Sequence, residues 1–275
     1  MRPLEQQTIL ITGATDGLGR ALATELAKAG PTLLIHGRNQ ARGRETVEAI
    51  KRGTGNEKLH WLRADLASLA EVNGLADQLI AEYGDLHVVV NNAGIGTTLP
   101  GDGRRIESRD GYELRFAVNY LAGYLLTRRL LPLLERSEPA RIVNVSSAGQ
   151  APIDFDDVML ERDYDGVQAY CQSKLAQIMF TIDLAAELGD RGVSANCLHP
   201  ATYMPTKMVH AAGVTPITTL EDGVKATLRL VADPELDGVT GSYFNGFREA
   251  RPDPQADDPE ARRRLRELSD QLCEL

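Results

Sequence analysis

Tyr170 and Lys174 lie four residues apart in AYCQSKLAQIMF, a segment with helical spacing, so their side chains share one helical face. A free phenol ionises near pH 10, and a neighbouring ammonium favours the phenolate, which makes such a tyrosine a usable proton donor or acceptor near neutrality. Taken alone, this pair is common on exposed helix faces; its company gives it weight. Ser147 ends the apolar run RIVNVSS, at the carboxyl edge of a strand, where a hydroxyl can hydrogen-bond a substrate oxygen. Asn119 interrupts the apolar helical pattern of FAVNYLAGYLL. A buried amide needs partners, so Asn119 is either a structural bridge or the holder of an ordered water.

A second constellation suits phosphate. The stretch TGATDGLG, residues 12 to 19, follows an apolar run and leads directly into helical spacing. Its glycines, Gly13, Gly17 and Gly19, allow positive φ and close backbone approach, and Thr15, Asp16 and Leu18 fill the turn between them. A helix start there offers free N–H groups and the positive end of a dipole to a pyrophosphate. The spacing, G-x-x-x-G-x-G, differs from the common dinucleotide fingerprint. An acid about 20 residues further on would favour NAD by binding the adenosine ribose. None stands there: the second apolar run ends His36-Gly37-Arg38-Asn39. A guanidinium at Arg38 can pair with a 2′-phosphate, so this corner, with Asn39, predicts NADP(H) in preference to NAD(H). Asp65 and Leu66 end the third run, where the carboxylate either reaches the adenine amino group or caps a helix.

The elements that must position these residues are legible as alternation. Apolar, β-branched runs at 8–12, 32–36, 59–62, 86–90, 141–146 and 193–198 are separated by segments of helical spacing. This pattern predicts a single doubly wound α/β domain of Rossmann type: a mostly parallel sheet of about seven strands in the order 3-2-1-4-5-6-7, with helices on both faces. Two long connections, 149–167 and 200–220, leave the carboxyl end of the sheet and are the candidate substrate walls, with Tyr203 and Met204 as contacts. The domain is expected over residues 1–250, followed by a linker and a solvated amphipathic helix over 251–275. Segments 111–135 and 168–189 are apolar on more than one side, which points to a second copy and hence a homodimer or homotetramer. Trp61, inside the third run, reads as core.

Composition narrows the partners. Lys plus Arg total 30 against 39 Asp plus Glu, a net charge of −9, which disfavours nucleic acid and anionic surfaces. The 3 cysteines form neither a disulfide framework nor a zinc pair, the 5 histidines have no metal-ligand spacing, and no apolar stretch is long enough to span a membrane. A cytoplasmic, metal-free protein acting on a small molecule is expected.

Taken in order, TGATDGLG, NNAG at 91–94, Asn119, Ser147 and YCQSK at 170–174 resemble the short-chain dehydrogenase/reductase superfamily over residues 8 to about 245. The resemblance implies a catalytic set of Asn119, Ser147, Tyr170 and Lys174. It also extends the cofactor surface to Asn92, Ala93, Gly94, Tyr170, Lys174, Pro200 and Thr202. Strand alternation turns Ser146 to the opposite face from Ser147. The family's Pro-Gly after the sixth strand is Pro200-Ala201 here, and the contact to the nicotinamide amide falls to Thr202 or Thr206. The long 149–167 stretch and the basic HGRN corner are similar to the retinol-dehydrogenase-like branch, which implies an apolar aldehyde or ketone and its alcohol as substrates. A non-catalytic NADP(H)-binding regulator on the same scaffold is the alternative, and the complete set of four residues weighs against it.

Overall fold

The computed structural model describes residues 1–98, 100–101 and 104–275. Six strands follow the apolar runs: β1 (Thr8–Ile11), β2 (Thr32–Gly37), β3 (Leu59–Arg63), β4 (Val88–Asn91), β5 (Ala140–Val145) and β6 (Val193–His199). Two short ones, β7 (Tyr243–Asn245) and β8 (Arg248–Glu249), complete one sheet in the order β3-β2-β1-β4-β5-β6-β7-β8. All neighbours pair in parallel except β7 and β8. The expected seven-strand order thus holds, with a two-residue antiparallel strand added at the edge.

Every residue of β1 and β4 is buried, because helices cover both sheet faces. Successive side chains of a strand point to opposite faces. Accordingly Ile9 and Ile11 join one core with α1 (Gly17–Ala27), α2 (Gln40–Thr54) and α7 (Leu220–Ala232), while Leu10 joins the other. That second core contains α3 (Leu69–Glu82), α4 (Ala122–Arg136) and α5 (Gly166–Leu188). A short helix, α6 (Lys207–Ala211), lies in the connection after β6.

The solvated C-terminal helix expected from sequence is corrected by the structure. Helix α8 (Pro259–Cys273) buries Ala261, Leu265, Ser269 and Cys273 in the same core as α4 and α5. Three tyrosines fix it from the far side. The Tyr120 hydroxyl meets Ser269 Oγ at 2.7 Å, Tyr124 donates to the Asp270 carboxylate, and Tyr112 donates to the Leu272 carbonyl at 3.1 Å. Arg266 pairs with Asp183 of α5 at 2.9 Å. The second apolar side of α4 and α5 is therefore covered by the chain itself, which removes the sequence-based reason for placing a second copy there.

Trp61 packs at the margin of the core expected for it. Its strand is the outermost of the sheet, so the indole is half-buried, lies against Gly43 where no side chain would fit, and donates to Gln40 Oε1 at 2.8 Å.

Candidate active site

At the carboxyl end of β1 the chain turns through Gly13, at φ +64°, into α1. A methyl group on Gly13 would come 2.8 Å from Ala93 Cα, and one on Gly19 would overlap Asn92 Nδ2 and the Gly13 carbonyl. Backbone therefore packs on backbone here, a demand only glycine meets. Asn92 ties the end of β4 to this turn, donating from Nδ2 to the Thr12 carbonyl at 2.7 Å, while Thr12 Oγ1 accepts from the Asn92 and Ala93 amides, both at 3.0 Å. Asp16 caps α1 by accepting from the Gly17 amide at 2.9 Å; the following amides of the first turn have no intrahelical partner, as at any helix start. Lys207 and Arg42 both pair with Asp16. Partial burial opposes its ionisation, but Lys207 and the Gly17 amide hold the carboxyl below the usual range.

His36 braces the turn from β2. Its Nδ1 accepts from the Gly13 amide at 3.3 Å and its Nε2–H donates to the Ala64 carbonyl at 3.2 Å. Burial pushes its pKa down to about 4, so the ring is neutral at pH 7. Arg38 stands exposed beside it, with no ion-pair partner among the described residues. Asn39 caps α2 by accepting from the Arg42 amide at 2.9 Å. Asp65 accepts from the Ala67 amide at 3.1 Å and pairs with Arg109 at 3.6 Å, and Leu66 is buried beside it. Bare glycine backbone, a helix start and an exposed guanidinium form a donor set that fits the phosphates of a dinucleotide.

The second half of the site gathers on α5. Tyr170 and Ser147 border the same small space: a methyl group on Gly149 would lie 3.5 Å from Ser147 Oγ and 3.9 Å from the Tyr170 ring. Ser147 Oγ accepts from the Gly149 amide at 3.0 Å, and its carbonyl is held by Tyr243 on β7 at 3.1 Å. Ser146 faces away, donating to the Lys174 carbonyl at 2.8 Å. Asn119 sits on a π-helical turn, Phe116–Leu121, that leads into α4. All its polar atoms bridge protein: Oδ1 accepts from the Ile95 amide at 2.8 Å, and Nδ2 donates to the Ile95 carbonyl at 3.2 Å and to Ser173 Oγ at 2.9 Å. These contacts make Asn119 a bridge between the loop after β4 and α5. Gly94 completes the floor, since a methyl there would come 3.3 Å from Asn119 Oδ1 and 3.6 Å from Lys174 Nζ.

The tuning of Tyr170 differs from the expectation. Burial pushes its phenol above the ordinary value, and the Ser147 hydroxyl pulls it back down. Lys174 Nζ lies 5.7 Å from the ring centroid and donates to the Val145 carbonyl and Gln177 Oε1, each at 2.9 Å. Burial alone pushes the Lys174 pKa down to about 7. At the end of β6, His199 Nε2 lies 3.0 Å from Thr202 Oγ1, whereas Thr206 is beside Gly17 of the phosphate turn. Thr202 is thus beside His199, which feels the Lys174 charge, and Thr206 is beside the glycine turn; Pro200 joins His199 to this segment.

The model of the short chain dehydrogenase family matches residues 7–215. The chain belongs to that family. Among its relatives, mouse retinol dehydrogenase 13 is 35% identical over 94% of this chain and 81% of its own length. Mouse polyprenol dehydrogenase is 35% identical over 96% and 82%. Among solved structures, a protein from Mycobacterium paratuberculosis has a TM-score of 0.78 at 28% identity, covering 98% of this chain and 94% of the other. A short chain dehydrogenase from Shigella flexneri, solved with NADP, has a TM-score of 0.72 at 28% identity over 90% and 99%. As a retinol-dehydrogenase-like short-chain dehydrogenase, this chain is an oxidoreductase of a family that acts on alcohol or carbonyl groups of small molecules with NAD(P) cofactors. No helix among the described residues is long and apolar enough to cross a membrane.

Several groups that shape this dehydrogenase site escape sequence reasoning. Arg115 and Glu113, both fully buried, lie 3.6 Å apart. Arg115 donates to the carbonyls of Gly96 at 2.7 Å and Thr97 at 2.8 Å and to the Tyr164 hydroxyl at 2.7 Å, and that hydroxyl in turn donates to Glu113 at 2.9 Å. The cluster locks the loop after β4 and the long 149–167 connection onto the helix of Asn119. Burial, then Glu113, raises the Tyr164 pKa. Each wall also carries a non-glycine residue at positive φ, Leu160 at +48° and Tyr203 at +50°, a backbone cost that packing must hold in place. An ion pair would show in sequence only as charges in an apolar helix, and partners 49 and 51 residues away cannot be matched by spacing.

Proposed function

We propose that the protein is an NADP(H)-dependent oxidoreductase interconverting an apolar aldehyde or ketone and its alcohol. The observation that carries this reading is the meeting of Tyr170, Ser147 and Lys174 at the sheet end that also bears the phosphate turn. In reduction, Tyr170 gives its phenol proton to the carbonyl oxygen and recovers it in oxidation. Ser147, its own oxygen fixed by the Gly149 amide, donates a hydrogen bond to that same oxygen. Asn119 braces the floor between Ile95 and Ser173. Bound NADPH supplies the hydride that the carbonyl carbon accepts. Its phosphates fall to Gly13, Thr15, Asp16, Gly17, Leu18 and Gly19, its 2′-phosphate to Arg38 and Asn39, and its adenine to Asp65 and Leu66. Asn92, Ala93 and Gly94 line its ribose, Lys174 and Tyr170 hold the nicotinamide ribose, and Pro200 and Thr202 meet the carboxamide.

NADP(H) is supported by the unpaired Arg38, and by the Shigella flexneri and Escherichia coli relatives solved with NADP and NADPH. An apolar substrate is supported by the names of the retinol and polyprenol relatives, and by Tyr203 and Ile217, exposed by 49% and 67% on one wall. If the protein assembles as a homodimer or homotetramer, it does so through a face other than that covered by α8. The test is a panel of aldehydes, ketones and alcohols, from acetaldehyde to retinaldehyde, assayed with NADPH and NADH in parallel. Lost charge-assisted hydrogen bonds to a 2′-phosphate cost about tenfold or more, so kcat/KM with NADPH should exceed that with NADH by that factor. Equal values would remove Arg38 from recognition, and NADPH binding without any turnover would favour the regulatory reading.

A further inference from the structure

Lys174 is buried, and burial lowers its pKa. Among the described residues no carboxylate pairs with it. Its surroundings hold Tyr170 on its own helix and His199 at the end of β6, whose pKa is lowered by burial and then by Lys174 itself. The end of β4 offers the uncharged Asn91, Asn92, Ala93 and Gly94, the π-helical turn offers Asn119, and β5 offers the Val145 carbonyl, followed by Ser146 and Ser147. One side-chain acceptor serves Nζ, the Gln177 carbonyl oxygen at 2.9 Å. An ammonium has three N–H groups. Val145 and Gln177 take two, which leaves the third for the space beside Gly94.

Gln177 has no reason in packing alone to be polar. It is 4% exposed, on a helix whose next three residues, Ile178, Met179 and Phe180, are buried apolar side chains. A buried amide is costly unless hydrogen-bonded. Behind it a polar column continues into the core. Thr181 donates to the Gln177 main-chain carbonyl at 2.7 Å, Asn144 donates to Thr181 at 2.8 Å, and Asn91 donates to Asn144 at 2.8 Å. Gln177, Asn91 and Asn119 also line one small cavity, and Oδ1 of the buried Asn91 has no hydrogen-bond partner among the described residues. Polar groups on this side of α5 are thus built in as a set.

We infer that Gln177 is a positioning residue of the active centre: its amide oxygen holds the Lys174 ammonium from behind, keeps it charged, and turns its remaining N–H toward the cleft at Gly94. The functional consequence rests on the reading of Lys174 as the holder of the nicotinamide ribose. Substitution by Met removes the acceptor at nearly equal volume, whereas Glu keeps it and adds charge.

The chain has only 6 lysines, so lysine labelled with 13C at Cε gives a spectrum in which Lys174 is assigned by its loss in Lys174→Arg. In the cofactor-free protein, titrated from pH 5 to 11, Gln177→Met should lower the Lys174 midpoint by about one pH unit or more, the worth of one hydrogen bond to a charged group. Gln177→Glu should raise it by at least as much, and carries the test alone should the Met variant not fold. Midpoints unchanged from the parent protein in the folded variants would overturn the assignment. A separate titration with NADPH distinguishes the two ideas. A Lys174 midpoint that moves in a protein unable to bind NADPH upholds the Gln177 contact and refutes the proposed function.

Discussion

On the β3-β2-β1 side of the sheet, the recognition surface is made of backbone. Gly13 and Gly19 are pressed against Ala93 and Asn92, the α1 amides face outward, and a neutral His36 ties the turn to its neighbours. On the β5-β6 side the surface is made of side chains, held by partners far away in sequence: Arg115 by Tyr164, Asn119 by Ser173, and α8 by Tyr120 and Tyr124. The difference matches the tasks. Phosphate binding needs many amides in fixed array, which a short local turn supplies, whereas proton transfer needs one hydroxyl set at one place, which takes a braced scaffold.

If that division is right, the largest effect belongs to the chemical half. Tyr170→Phe should lower turnover by about 10²- to 10⁴-fold in a nicotinamide absorbance assay, with NADPH affinity within about twofold of the parent. A comparable loss of NADPH affinity would mean that the phenol acts mainly through its hold on the nicotinamide ribose and not through proton transfer. Next comes Leu265→Ala in α8, which opens a cavity at a residue only 1% exposed and should cost about 2–5 kcal/mol in urea unfolding. Gln255, just before α8, accepts from the Ile153 amide at 2.7 Å, so the KM for the carbonyl substrate should rise while NADPH affinity holds.

The third test is acid. His36 has a folded pKa of about 4 against an ordinary 6.5. Between those values the unfolded chain binds a proton that the folded one does not, so stability falls as pH drops through that window, by about 3 kcal/mol in total. His36→Asn should show a shallower loss in urea midpoints measured from pH 7 to 4. The smallest effect is Arg38→Ala, which should weaken NADPH binding by about 10- to 100-fold and leave NADH unchanged, as read by nicotinamide fluorescence. Equal weakening of both would place the guanidinium on a phosphate common to the two.

What could be seen in the sequence follows the same line. Buried parallel strands read as apolar runs because helices cover both faces, and the phosphate turn is legible because its glycines are contiguous with strand and helix. Ser147 and Tyr170 are legible through their local settings. Helix α8 reads as solvated because its 15 residues contain PEARRRLREL, with charge on most positions; its thin apolar stripe gains meaning only once Tyr120 and Tyr124 are known to face it. Spacing brings Lys174 close to Tyr170 but not the direction of its Nζ, since Gln177 competes for the ammonium. Trp61 reads as core because an alternating pattern does not reveal which strand lies outermost.

The docking of α8 also bears on how the polypeptide folds during synthesis. Strands β1 to β4, with the turn that awaits phosphate, are all present once residue 91 has been made. Tyr120 must wait for Ser269, 149 residues later, before its hydroxyl is satisfied. A nascent chain emerging from the ribosome would hold a nearly finished nucleotide shelf while the tyrosine-bearing half still exposed apolar surface, until the turns of α8 closed it.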